Sequence, residues 1–323
     1  MTSKPHIAIL VPSPDNHQHD ERWPGNFETL AAPLRALGAT VEPQPWIDGA
    51  PAEALLAYDR VLPLLAWGYH LRTSDWFARL ALWQGLGVRL DHDPEILRWN
   101  TSKAYLAQLA AKGAPVTPSL MVDRVTEADL AKAREQFQSQ ILVIKPQISA
   151  GAHQTLVAQD HDRLGSLPSG PVILQPFLPS VGEEGELSLF YFGGVFSHAV
   201  AKVARHGDFR VQPQYGGATT AFDPSPEARN AAAAVLAACG LDLTYARVDL
   251  IRCLDGSLRL MELEVIEPDL FLAFAPDGGA ADRAQGRSGG DRCGAGGWRG
   301  ARNRAGAATD RCGVCRAGAL PLI

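Results

Sequence analysis

The ten residues MELEVIEPDL, numbers 261 to 270, carry three carboxylates, Glu262, Glu264 and Glu267, in a run otherwise suited to a β-strand. Side chains alternate faces along a strand, so Glu262 and Glu264 share one face while Leu263 and Val265 take the other. Two carboxylates side by side raise the pKa of at least one of them unless a cation or a basic group stands between. A solvated sheet face carries such a pair with no function at all. The other use is a cation site, and Asp249, in the strand-like YARVDLI one turn earlier, offers a third oxygen donor. Mg²⁺ takes oxygen ligands and combines one or two carboxylates with substrate phosphates, so Asp249, Glu262 and Glu264 suit a magnesium nucleotide and not zinc.

The basic residues lie upstream. Lys145 ends the apolar run ILVIK and is followed by Pro146 and a small-residue turn, Ser149, Ala150 and Gly151. An ammonium leaving a buried strand beside such a turn can meet phosphates while backbone N–H groups close over them; taken by itself, the pattern is more often a surface turn. LQPFL, ending at Leu178, reads as a strand that stops at a proline-marked bend, where the backbone of Gln175, Pro176 and Phe177 could read an adenine edge, and the acidic EEGE lies just beyond. Lys202 and Arg210 follow in AKVARHGDFRVQPQYGG.

These residues need elements to position them. The first hundred residues alternate strand-like and helix-like runs: HIAILV, the amphipathic FETLAAPLRALG, TVEPQPW, PAEALLAY, RVLPLLAWGYH and SDWFARLALWQGLG. Such alternation predicts a parallel sheet with ligands at the carboxyl ends of its strands. Trp67, Tyr69 and His70 fall in one such loop, as a substrate wall or as a packed aromatic corner. From about residue 115 the pattern changes to strand pairs around glycine turns, with a hairpin at Gly193–Gly194 and another at Asp255–Gly256. The predicted class is α/β at the start and α+β in the second half.

A chain of 323 residues with 46% hydrophobic content can build a large core without staples. A net charge of −5 gives no field to hold nucleic acid. No apolar run is long enough to span a membrane and the first residues lack a signal-peptide pattern, so the expectation is a cytoplasmic protein with a small-molecule substrate, no membrane partner and no nucleic-acid partner. The Cys spacing suggests no disulfide framework, and Cys239 and Cys253 read as small core residues. Residues 277–323 depart from the rest: 12 of the 47 are Gly and 8 are Arg, with no Lys and three of the five Cys. A metal knuckle on Cys312 and Cys315 lacks a second pair of ligands. The composition suits a GC-rich gene read out of frame after Pro276, giving a disordered appendage in place of a closing helix.

The order of these features resembles the ATP-grasp superfamily over about residues 95 to 276, with the α/β segment 1–94 similar to that superfamily's preceding domain. The stretches RWNTSKAYL, KPQISAGAH, GEEGELSLFYFGGVFSHAV, GDFRVQPQYGG, YARVDL and MELEVIEPDLFL look like its glutathione-synthetase-like branch. Within that branch they look most like the actinobacterial ligases that include the cyclo-ligase of D-cycloserine biosynthesis. The resemblance implies an ATP-grasp domain over 95–276 with a lid at about 115–178. It implies that Lys103 and Lys145 contact nucleotide phosphates, Ser149 to Gly151 form the lid turn, Gln175 to Leu178 the adenine hinge, and Glu183 or Glu184 hold the ribose. Asp249, Glu262 and Glu264 would hold two Mg²⁺, with Mn²⁺ as a substitute, although the superfamily commonly has Asn where Glu264 stands. Lys202 and Arg210 would neutralise the transferred phosphoryl group, and Glu267 would face substrate or cap the strand end.

The activity so implied is an ATP-dependent carboxylate–amine ligase working through an acyl phosphate, with ring closure of an O-amino- or O-ureido-D-serine-type amino acid as the specific form. An intermolecular amino-acid ligase and a nucleotide-binding protein without turnover are the competing readings, separated by whether a carboxylate substrate triggers ADP release.

Overall fold

The computed structural model describes residues 4–14, 22–159, 168–205, 210–211 and 215–276. The expectations for the tail, including Cys312 and Cys315, fall outside the described residues.

The chain opens with β1 (His6–Val11), α1 (Trp23–Ala36), β2 (Thr40–Pro45), β3 (Arg60–Leu62) and α2 (Thr73–Leu86). The three strands pair in parallel in the order β2-β1-β3. A central parallel strand needs cover on both faces, and β1 divides its side chains accordingly. Ile7, Ile9 and Val11 pack with Phe27, Leu30 and Leu34 of α1, and Ala8 and Leu10 pack with Trp46, Trp76 and Trp83. The run RVLPLLAWGYH is a strand only to Leu62. Pro63 has no N–H with which to continue the ladder, so the chain loops away and winds a 3₁₀ turn at Tyr69–Leu71. Ala52–Ala57, expected as a helix, is likewise 3₁₀.

α3 (Pro94–Thr101) begins at Asp93, whose carboxylate accepts the Glu95 N–H, with Pro94 in the first turn where its missing donor is harmless. A break at Ser102 separates it from α4 (Tyr105–Ala111). Next come β4 (Leu120–Val122), α5 (Glu127–Phe137), β5 (Leu142–Pro146), β6 (Leu156–Ala158) and β7 (Val172–Pro176). The strands form an antiparallel sheet in the order β4-β7-β5-β6. A Thr126–Asp129 capping box starts α5, which covers the sheet through Leu130, Ala133 and Phe137.

After the short α6 (Ser180–Glu183), β8 (Glu186–Phe192) and β9 (Val195–Val203) make the expected hairpin on Gly193–Gly194, whose φ angles of 54° and 77° favour glycine. β10 (Ala218–Ala221), α7 (Pro226–Cys239), β11 (Tyr245–Arg252) and β12 (Leu258–Glu264) complete a five-stranded antiparallel sheet in the order β10-β9-β8-β11-β12. Ser225 caps α7, which lays Ala228, Ala232 and Val235 on the core. Asp255–Gly256 sits inside the loop 253–257 and is not a two-residue turn. Cys239 and Cys253 are buried free thiols. The architecture is the mixed one expected, with a parallel opening and antiparallel sheets behind it. Among the described residues no helix is long and apolar enough to cross a membrane.

Candidate active site

One cleft of about 880 Å³ collects side chains from the two antiparallel sheets, from α1 and from the loop after β3. The expected residues that line it are Trp67, Tyr69, His70, Lys103, Lys145, Ser149 to Gly151, Gln175 to Leu178, Lys202, Arg210, Asp249, Glu262, Glu264 and Glu267. Glu183 and Glu184 are not in its wall. Both are exposed, and Glu184 lies outside on Arg252, with Oε1 2.7 Å from Nε.

The five-stranded sheet supplies the densest charge, and its register explains how. On β11 and β12, Asp249 stands opposite Glu262 and Arg247 opposite Glu264. On β11 and β8, Asp249 stands opposite Ser188, and on β8 and β9, Glu186 stands opposite Lys202. Period-2 alternation puts each strand's pair of polar residues on the same face, so the charges stack across four strands over the cleft. Asp249 is buried and saturated. It accepts from Ser188 Oγ at 2.5 Å, from Arg247 Nε at 3.0 Å and Nη2 at 2.9 Å, and Lys202 Nζ lies 3.4 Å away. Burial alone would raise its pKa, but Arg247 and Lys202 reverse this and hold it well below the usual range. Lys202 also pairs with Glu186. Burial and Arg247 pull the Lys202 pKa down, while Asp249 and Glu186 more than offset them.

Lys103 sits in the break between α3 and α4, where its Nζ donates to the Ser149 carbonyl at 2.6 Å and pairs with Glu262 Oε1 at 2.9 Å. It thus ties the Ser149–Gly151 turn to β12. Against the cost of burial, Lys103 and then Lys145 hold the Glu262 pKa below its ordinary value. Lys145 has a weaker environment: its Nζ lies 3.7 Å from Met261 Sδ, and burial, only partly offset by Glu262, brings its pKa down to about 8. The Gln175 amide donates to Ser119 Oγ at 2.8 Å. Arg210 lies over the Tyr215 ring, 3.8 Å from its centroid.

Of the two ways to make neighbouring Glu262 and Glu264 tolerable, a basic group is in place for each: Lys103 pairs with Glu262 and Arg247 with Glu264. No group of three His, Cys, Asp or Glu side chains among the described residues is arranged to enclose a metal ion, and Asp249 is fully engaged. The donor chemistry still fits a divalent cation that arrives with phosphates. Glu262 and Glu264 present oxygens on one face of the cleft, and Glu264 is short of positive charge: burial, opposed by Arg247 but reinforced by Glu262 and Asp249, pushes its pKa up to about 8. A cation beside it would restore the ionised form.

Side chains hold the outer edge of β12 where a further strand would otherwise pair. Asn100 donates to the Leu263 carbonyl at 2.8 Å and accepts from the Val265 N–H at 3.2 Å. Tyr105 Oη accepts from the Leu263 N–H at 2.8 Å and donates to its carbonyl at 3.0 Å. His92 Nδ1 lies 2.9 Å from the Val265 carbonyl, and burial drops the His92 pKa to about 4, which keeps the ring neutral. Buried backbone polar groups need such partners, and here those partners also fix the carboxylates of β12 in place.

Two residues that the sequence reading omitted belong to the site. Arg247 lies two positions before Asp249, so the alternation that joined Glu262 to Glu264 would have put it on the same face. Glu186 ends the acidic EEGE, and only the β8–β9 pairing reveals that it faces Lys202.

A RimK-like ATP-grasp domain model matches residues 101–268. The chain is 34% identical over 269 residues to the cycloserine biosynthesis protein DcsG of Streptomyces lavendulae, covering 77% of this chain and 88% of that protein. The crystal structure of D-cycloserine synthetase DcsG superposes with a TM-score of 0.69 at 30% identity, over 85% of this chain and 96% of that one. D-alanine–D-alanine ligase from Bacillus anthracis, at 17% identity and a TM-score of 0.61 over 88% and 93% of the two chains, shares the fold.

Proposed function

The chain belongs to the RimK-like ATP-grasp family of ligases, and on that premise we propose that it activates the carboxylate of an aminooxy amino acid with ATP and closes that molecule on itself. The carboxylate oxygen attacks the γ-phosphorus, ADP leaves, and an acyl phosphate remains. The aminooxy nitrogen then attacks the acyl carbon and loses a proton, phosphate departs, and a five-membered isoxazolidinone forms. Such a nitrogen is weakly basic and unprotonated at neutral pH, so the attack requires no strong base.

Each part of the cleft has a role in this reading. Lys103, Lys145 and the Ser149–Gly151 turn hold the nucleotide phosphates, with the strand end Gln175–Leu178 against the adenine. Lys202, Arg210 and Arg247 neutralise the phosphoryl oxygens during transfer, and Asp249 holds Lys202 and Arg247 in position. Glu262 and Glu264 bind Mg²⁺, which when present supplies further positive charge to the phosphates. Trp67, Tyr69 and His70 close the far wall and keep water from the acyl phosphate. Internal attack by a well-oriented group has an effective concentration of about 10⁵ M or more.

The observation that carries the ring-closing form is the likeness to D-cycloserine synthetase in sequence and fold together. Its test is incubation with ATP, Mg²⁺ and O-amino-D-serine. The expected result is one ADP per product, with the product lighter than the acid by one water. ADP formation only when a second amine is added, or a linear dipeptide product, replaces it with an intermolecular ligase.

A further inference from the structure

Glu267 lies three residues beyond β12, in the cleft wall. The residue is half-buried, yet its Oε2 is shielded from solvent and has no hydrogen-bond partner among the described residues. Leaving a shielded carboxylate oxygen unsatisfied is costly. The other acids of the cleft do not share this condition. Glu262 has Lys103, Glu264 and Asp249 have Arg247, and Glu186 has Lys202. The cations near the sheet face are therefore committed to neighbours or lie ready for phosphate, while Glu267 is an acid in need of a donor. A nucleotide cannot provide one at its phosphates. A second ligand carrying a cationic nitrogen can.

We propose that Glu267 receives the α-ammonium group of the substrate, so that the substrate lies as a zwitterion with its carboxylate toward the γ-phosphate of the nucleotide. The inference rests on the reading of the cleft as an amino-acid-activating site and narrows its substrates to α-amino acids, against aminooxy acids that lack the ammonium. Because ammonium and carboxylate are fixed at two points, the aminooxy arm is left free to fold back on the activated carbon.

The test compares O-amino-D-serine with 3-(aminooxy)propanoate, the same acid without the α-amino group, in the full chain and in Glu267→Gln. Binding is read by calorimetry with a non-hydrolysable ATP analogue and Mg²⁺ present, and turnover by ADP release. The wild type should prefer the amino acid by roughly 30-fold or more, as expected for a shielded ion pair. Glu267→Gln should lose most of that preference while its affinity for the ATP analogue and its melting temperature stay near wild type. Glu267→Asp, which keeps the charge but withdraws it, should fall between and serves as the readout if the Gln variant does not fold. Equal binding of the two acids by the wild type, or an unchanged preference in the variants, overturns the ammonium site. Absence of turnover with both acids, alongside a Glu267-dependent binding preference, instead overturns the ring-closing reading and leaves the site standing.

Discussion

Both antiparallel sheets face the cleft, but they carry charge in opposite ways. In the five-stranded sheet, cross-strand register stacks Glu186, Lys202, Asp249, Arg247 and Glu264 into one paired network, in which Glu264 stays short of positive charge, with Glu262 beside it held by Lys103. The four-stranded sheet contributes Lys145, whose Nζ contacts the Met261 thioether and whose pKa falls to about 8. One face is locked before any ligand arrives; the other has a cation that gains from a phosphate. A buried network resists the loss of a member because the survivors are left unpaired, whereas an under-satisfied lysine costs the empty protein stability and returns it on binding.

The largest effect that would sharpen this contrast is expected at the network's centre. Asp249→Ala leaves Lys202 and Arg247 without their shared acceptor, so stability should drop by about 3 kcal/mol in denaturant unfolding and turnover should fall on the order of 100-fold or more. A variant as stable as wild type would show that the network is not the sheet's internal lock.

Lys145→Met should do the reverse. The KM for ATP should rise by about 10-fold or more, with the ligand-free protein no less stable. The pH dependence follows from the sign of the shift. A lysine whose pKa is 10.5 unfolded and about 8 folded binds fewer protons in the native state between those values, so its contribution makes stability rise as pH increases from 8 to 10.5. That rise should disappear in Lys145→Met, as seen in melting curves across the window; its persistence would assign the pH dependence to another group.

Smaller effects are expected further out. Asn100→Ala removes two bonds from the outer edge of β12 and should cost about 1–2 kcal/mol, with a lower kcat and little change in ATP affinity, because it disturbs the carboxylates more than the lysines. Glu184→Ala, which breaks an ion pair with the Glu184 side chain 46% exposed, should change stability by less than about 0.5 kcal/mol and leave the KM for ATP unchanged. A large rise in that KM would return Glu184 to the ribose role that the sequence reading gave it.

What the sequence made legible was what depends on local period and spacing. The alternation in MELEVIE puts Glu262 and Glu264 on one face, ILVIK delivers Lys145 to a strand end, and paired glycines mark the β8–β9 turn. The rest depends on which strands pair and in what register. Arg247 meets Glu264, and Glu186 meets Lys202, only through neighbouring strands, and Asn100 reaches β12 from more than 160 residues away. The RVLPLLAWGYH run misled because its hydrophobicity suits a strand while Pro63 removes a ladder donor. Within the acidic EEGE, local pattern does not say that Glu183 and Glu184 are exposed at the end of α6 while Glu186 enters β8 and the cleft wall.

The most direct measurement follows the carboxylate oxygens. O-amino-D-serine labelled with oxygen-18 at both carboxylate positions is incubated with ATP and Mg²⁺, with no second amine present. Transfer of the carboxylate to the γ-phosphorus followed by internal attack requires one labelled oxygen to leave in phosphate and the other to remain in the cyclic product, in equal amounts with ADP. Unlabelled phosphate, or label that reaches phosphate only after another amine is supplied, would contradict activation and closure within one molecule.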